Sequence, residues 1–124
     1  MSDMPTLNII VAMAEGRRLC AALETAIAAA ALGRGARLFL QGDATAMLRA
    51  PAGFAGDGPR RAAGLPGLAE LIDEAMTSGV EIIACQSGLA IGQMAADKMV
   101  PGVKAGGVVS FLAAVGEADR LVVY

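Results

Sequence analysis

The sequence predicts an open, doubly wound α/β fold with a mostly parallel five-stranded sheet, and three observations lead there. Five short apolar runs of strand length recur along the chain, separated by segments of helical period. The first of them is continuously hydrophobic rather than alternating, which marks a strand covered on both faces, as in parallel sheets. Glycines punctuate the junctions between them. Parallel strands joined by right-handed crossovers then carry helices on both sides of the sheet.

The first strand is the β-branched run 7–13, bounded by Pro5 and Gly16. A helix over 17–32 follows, with Leu19, Leu23 and Ile27 at helical spacing and Gly33 and Gly35 as its stop. Residues 36–41 form the second strand, and Gly42-Asp43 turns into a short helix capped by Asp43. Pro51, Gly53, Gly56, Gly58, Pro59, Gly64 and Pro66 make 50–66 a loop or lid. A helix over 67–78, marked by Leu68, Leu71, Ile72 and Ala75, closes at Gly79. The third strand is 80–84, with Cys85 at its carboxyl end, and a helix spans 87–96 although Gly88 and Gly92 weaken it. A short fourth strand at 103–105, a helix at 108–115 and a fifth strand at 121–124 complete the alternation. All 124 residues read as one domain, 1–124, because neither flank of 50–66 is long enough to fold alone.

Composition removes several classes of function. Hydrophobic residues make up 56% and charged residues 18%, the opposite of a disordered chain. A formal net charge of −2, no Trp and 3% aromatic residues argue against nucleic acid, which takes a basic stripe and stacking platforms. No His is present, so the commonest metal ligand and every Ser-His or Cys-His pair are missing. The two cysteines sit in no ligand-spaced motif, and no metal or cofactor is expected. The opening Met1-Ser2-Asp3-Met4-Pro5 lacks a basic signal-peptide region. The longest apolar stretch, 26–32, is far below the roughly 20 residues of a membrane span. The expectation is a cytoplasmic protein with no membrane partner, in a compartment where thiols stay reduced.

Ligands of such folds sit beyond the carboxyl ends of the strands. That edge carries Cys85, whose sulfur is expected to face the N–H groups of Gln86, Ser87 and Gly88, with the Ser87 hydroxyl as a further donor. Gly106-Gly107 on the next strand end leave space above it. The other reading is a buried structural cysteine. Cys20 lies in the Ala-rich first helix and reads as packing, or as a resolving thiol. Arg17-Arg18 are placed to meet an anion or simply water, and Lys98 and Lys104 to steer an anionic partner or solvate the surface. A mononucleotide site is not expected: the first loop is Met13-Ala14-Glu15-Gly16-Arg17, with a carboxylate where a phosphate would go, and no phosphate-loop or dinucleotide fingerprint is present.

From Ile9 to Tyr124 the chain resembles the DsrE/DsrF-like superfamily, which includes the sulfur-relay proteins of the Dsr and Tus systems. The resemblance is carried by Ala31-Leu32-Gly33 closing the first helix, Leu38-Phe39-Leu40 followed by Gly42-Asp43, and Gly79-Val80-Glu81-Ile82-Ile83-Ala84-Cys85. Gly106-Gly107 and the closing Glu117-Ala118-Asp119-Arg120-Leu121-Val122-Val123-Tyr124 extend it. It implies a three-layer α/β/α domain that assembles into a homo-oligomer, a trimer or hexamer. In relay members the cysteine matching Cys85 accepts sulfane sulfur as a persulfide and hands it on. Relay members often place a basic residue before the glycine of the following helix, where this chain has Ile91-Gly92.

The sequence therefore carries a persulfide carrier of sulfurtransferase type, using Cys85 with sulfur-donor and acceptor proteins as partners. Two alternatives stand beside it: a non-enzymatic oligomeric binding module, and a thiol-redox protein that cycles through sulfenic acid.

Overall fold

The computed structural model describes residues 4–124, and the acidic opening Met1-Ser2-Asp3 lies outside them. In chain order the elements are β1 (Leu7–Val11), α1 (Gly16–Ala31), β2 (Ala36–Leu40), a 3-10 segment (Gly42–Leu48), α2 (Asp57–Ala62) and α3 (Leu68–Thr77). Then come β3 (Glu81–Cys85), α4 (Gln86–Ile91), a 3-10 turn (Ala96–Lys98), β4 (Lys104–Gly106), α5 (Val108–Ala113) and β5 (Arg120–Val123). The five strands form one sheet in the order β4-β3-β2-β1-β5, and every pairing is parallel.

Side-chain alternation along the strands splits the interior in two. Ile9, Val11, Leu38, Leu40, Ile82 and Ala84 pack against Leu19, Leu23 and Ala26 of α1 and Leu68 and Ile72 of α3. Each fully buried Leu or Ile there contributes about 1.5–3 kcal/mol. Ile10, Phe39, Ile83 and Cys85 point the other way and meet α5, whose single buried residue is Phe111. One face is thus covered by 16- and 10-residue helices, the other by a helix of six.

Several boundaries differ from the sequence reading, each for a local reason. β1 stops at Val11, and Met13 beyond it is 53% exposed. The helix after Cys85 ends at Ile91, because Gln93 takes a left-handed φ of 53° and the N–H of Met94 returns to the Leu89 carbonyl at 2.9 Å. Asp43 sits in the first turn of the 3-10 segment without capping it, and the Thr45 hydroxyl donates to the Gly42 carbonyl at 3.0 Å.

The segment 50–66 is not a lid over the cysteine. It contains α2, tied down by the Asp57 carboxylate, which accepts from the backbone N–H of Phe54 (3.1 Å) and Leu68 (2.8 Å). Arg60 donates to the Pro66 carbonyl at 2.7 Å and to Glu24 of α1 at 3.0 Å. Phe54 fills the space at Gly16, where any Cβ would overlap its ring. The segment packs on the α1 side of the sheet, opposite Cys85.

Candidate functional site

The course of the chain singles out one point on the carboxyl edge of the sheet. The chain leaving β3 passes into α4, whose Leu89 is buried with the α1 and α3 cluster. The chain leaving β4 passes into α5, on the opposite face. Neighbouring strands whose connections part to opposite faces leave a crevice between their ends, and such crevices are where open α/β sheets bind ligands. Here the crevice lies between Cys85 and Gly106, which pair in register.

Cys85 is 4% exposed and points to the α5 face. The Ser87 oxygen lies 3.0 Å from its sulfur. Burial acts to raise the thiol pKa, but the Ser87 hydroxyl and the backbone N–H groups of Gly42, Gly88 and Ser87 hydrogen-bond the anion and hold the pKa below its ordinary value. The Cys85 thiol is thus more acidic than an ordinary one although it is buried. The sulfur is not open above Gly106-Gly107, as the glycine pair suggested, because Phe111 and Val108 of α5 close over the cluster that includes it.

The remaining sequence-selected residues fall around this sulfur in different ways. Gln86 and Ser87 are exposed at the start of α4, and Gly88 is buried. Gly88 is a glycine for packing: a Cβ there would overlap the Gly42 carbonyl oxygen and crowd Thr45. Gly106 and Gly107 are half-buried, with the Gln86 side chain facing the space beside Gly107. Lys104 lies two strand positions before the sulfur's level and pairs with Glu81 at 3.4 Å. Lys98 is exposed on the 3-10 turn.

Cys20 is 2% exposed, yet it lies in α1 on the other side of the sheet and cannot meet Cys85 within one chain. Its thiol is pushed up, chiefly by burial; Arg60 acts against that rise, while the carboxylates of Glu24, Asp57 and Glu15 reinforce it. Arg17 and Arg18 follow a helix start whose dipole is met by Glu15: its carboxylate accepts from their backbone N–H groups at 3.1 and 2.9 Å.

Two parts of the site were missed in the sequence. Gly42 supplies a sulfur donor from a left-handed φ of 59°, and its only sequence signal was its place after a strand on the carboxyl edge. The second is a polar cluster under α5. Arg37 donates to the Asn8 side-chain oxygen (2.8 Å) and to the Phe111 carbonyl (3.2 Å), and its guanidinium lies 4.2 Å from the Phe111 ring centroid. Asn8, wholly buried, donates onward to the Arg120 carbonyl at 3.2 Å. The Phe111 ring stacks on Phe39 at 5.0 Å and 26°. Beside them a cavity of about 180 Å³ is lined by Glu81, Ile83, Lys104 and Gly106 among others. A Lys or Arg in a strand normally reads as a solvated edge, so nothing in the pattern distinguished Arg37.

Among the described residues, no group of three His, Cys, Asp or Glu side chains is placed to hold a metal, and no helix is long and apolar enough to cross a membrane.

The crystal structure of the YchN protein from E. coli is similar over 98% of this chain and 100% of its own, with a TM-score of 0.76 at 20% identity. The structure of MTH1491, a protein of unknown function from Methanobacterium thermoautotrophicum, is similar over 97% and 99%, with a TM-score of 0.69 at 15% identity. These likenesses concern the fold. No curated protein matches the sequence. The DsrE/DsrF-like family model matches residues 9–124, which take in β2 to β5, the last three residues of β1 and the crevice at Cys85, and the chain belongs to the DsrE/DsrF-like family.

Proposed function

We propose that this protein is a persulfide carrier in which Cys85 takes sulfur from a donor protein and passes it to an acceptor. The supporting observation is the set of donors on the Cys85 sulfur, which lowers its pKa in spite of burial. The Cys85 thiolate attacks the outer sulfur of a donor persulfide, an S–S bond forms, and the donor cysteine leaves as a thiolate. An acceptor thiolate then attacks the outer sulfur of the Cys85 persulfide and releases Cys85 as the thiolate. No electrons are gained or lost overall, so neither step calls for a cofactor. The same donors that stabilise the thiolate stabilise the anionic persulfide between the two steps.

The chain acts as a single domain, 1–124, within a cytoplasmic homo-oligomer, a trimer or hexamer. Leu121, Val122 and Val123 of edge strand β5 are 44%, 37% and 65% exposed, and Val109 of α5 is 78% exposed. Such an apolar edge suits burial against other copies. A redox cycle is less well supported, because Cys20 stands across the sheet and offers no resolving thiol within the chain.

Intact-mass measurement after incubation with a persulfide donor tests the proposal. The wild type gains increments of one sulfur atom, Cys20→Ser keeps them and Cys85→Ser loses them. A wild type that takes up no sulfur from several donors sinks the carrier reading.

A further inference from the structure

We infer that α5 is a hinged cover over Cys85, latched by Arg37 and Phe111, and that the sulfur is reached by lifting this helix. The inference rests on the carrier reading for its biological meaning, though its test does not.

Cys85 is hidden from two sides. On one side stand Gly42, Ser87 and Gly88, the groups whose hydrogen bonds favour its anion. Moving them would open a path while removing the hydrogen bonds that lower the thiol pKa and make the sulfur more reactive. On the other side stands α5, which gives the sulfur none of those hydrogen bonds. Lifting α5 exposes the sulfur with those hydrogen bonds kept.

The construction of α5 fits that movement. It is six residues long with one buried side chain, and segments with so few buried contacts open at low cost. Gly107 alone joins it to β4, and a glycine there can take up a change of backbone angle that other residues resist. Its hold on the sheet is concentrated at Phe111, where Arg37 bonds the carbonyl and lies over the ring, and Phe39 stacks beneath. Arg37 is in turn held by Asn8 at 2.8 Å and faces Glu81 at 3.9 Å. Arg37 is therefore a positioning residue: it touches no sulfur and acts by holding the helix.

The experiment is iodoacetamide alkylation of Cys85 across pH in the native protein, with Arg37→Gln and Phe111→Leu as variants. The limiting rate at alkaline pH is expected to rise about tenfold or more in both variants, while the midpoint of the profile stays in place. In the wild type, the slowing of Cys85 alkylation relative to the unfolded chain should match the exchange protection of the Phe111 amide, which bonds to the Gly107 carbonyl at 3.0 Å. It should fall well below the protection of the Leu38 amide in the central sheet. The wild-type comparison needs no variant to fold. An unchanged limiting rate in folded variants overturns the cover, as does a midpoint that rises along with the rate. Cys85 protection equal to that of Leu38, or no protection at all, overturns it too. Alkylation and exchange report access whether or not any donor loads sulfur, so failure of the carrier reading and failure of the cover are read separately.

Discussion

The two cysteines are almost equally hidden, 2% exposed for Cys20 and 4% for Cys85, yet their thiols are pushed in opposite directions. Cys20 is enclosed by the hydrocarbon of the α1 face, with carboxylates nearby, and burial raises its pKa. Cys85 sits where two loops turn their backbone N–H groups inward, and those donors outweigh the same penalty. Depth alone therefore does not decide the state of a buried thiol. What decides it is whether the surrounding backbone has unpaired donors to offer, and only strand and helix ends do.

The comparison can be broken most forcefully from the thick face. Leu23→Ala should cost about 2–5 kcal/mol of stability in urea unfolding, since Leu23 is wholly buried. The Cys85 alkylation midpoint should not move, and a shift would mean that the two faces are not independent. Next comes Gly88→Ala. Alanine gains up to about 1 kcal/mol within a helix, but the overlap with the Gly42 backbone costs about 1–3 kcal/mol, so the net change is a loss. As Gly42 is displaced from the sulfur, the Cys85 midpoint should rise.

Ser87→Ala should change stability by under about 1 kcal/mol, because Ser87 is exposed, yet raise the Cys85 midpoint and leave that of Cys20 alone. The smallest effect is in pH dependence. Cys85 has a folded pKa below its unfolded one, so its contribution is fully present above the unfolded value and is lost as pH falls through the folded value. Cys20 has the reverse: its contribution is present below the unfolded value and lost as pH rises through the folded one. Urea midpoints from neutral to alkaline pH should therefore favour the wild type increasingly over Cys85→Ala, and decreasingly over Cys20→Ala. Parallel curves for both would remove the contrast.

The strands were legible as short, largely apolar runs between glycines and helical segments, and α1 because Leu19, Leu23 and Ile27 repeat at its period and Gly33 stops it with a φ of 83°. Cys85 and Ser87 were legible because both lie within two residues of a strand end. Gly42 was not, since its N–H reaches the sulfur through a contact far along the chain that only the packing at Gly88 explains. The helix α2 hid among prolines and glycines because Asp57, which anchors it, draws its partners from Phe54 and Leu68 outside the helix. The cover over the sulfur was invisible for a similar reason. Space above a glycine pair depends on where the next helix lands, and Arg37, Asn8 and Phe111 settle that together from three separate elements.

Glu15 carries one more consequence. Architectures of this kind commonly seat a phosphate at the start of the helix after the first strand, where free N–H groups meet it. Here the chain brings its own anion to that place, with both carboxylate oxygens engaged. A phosphate-bearing ligand would have to displace this carboxylate before it could reach those N–H groups.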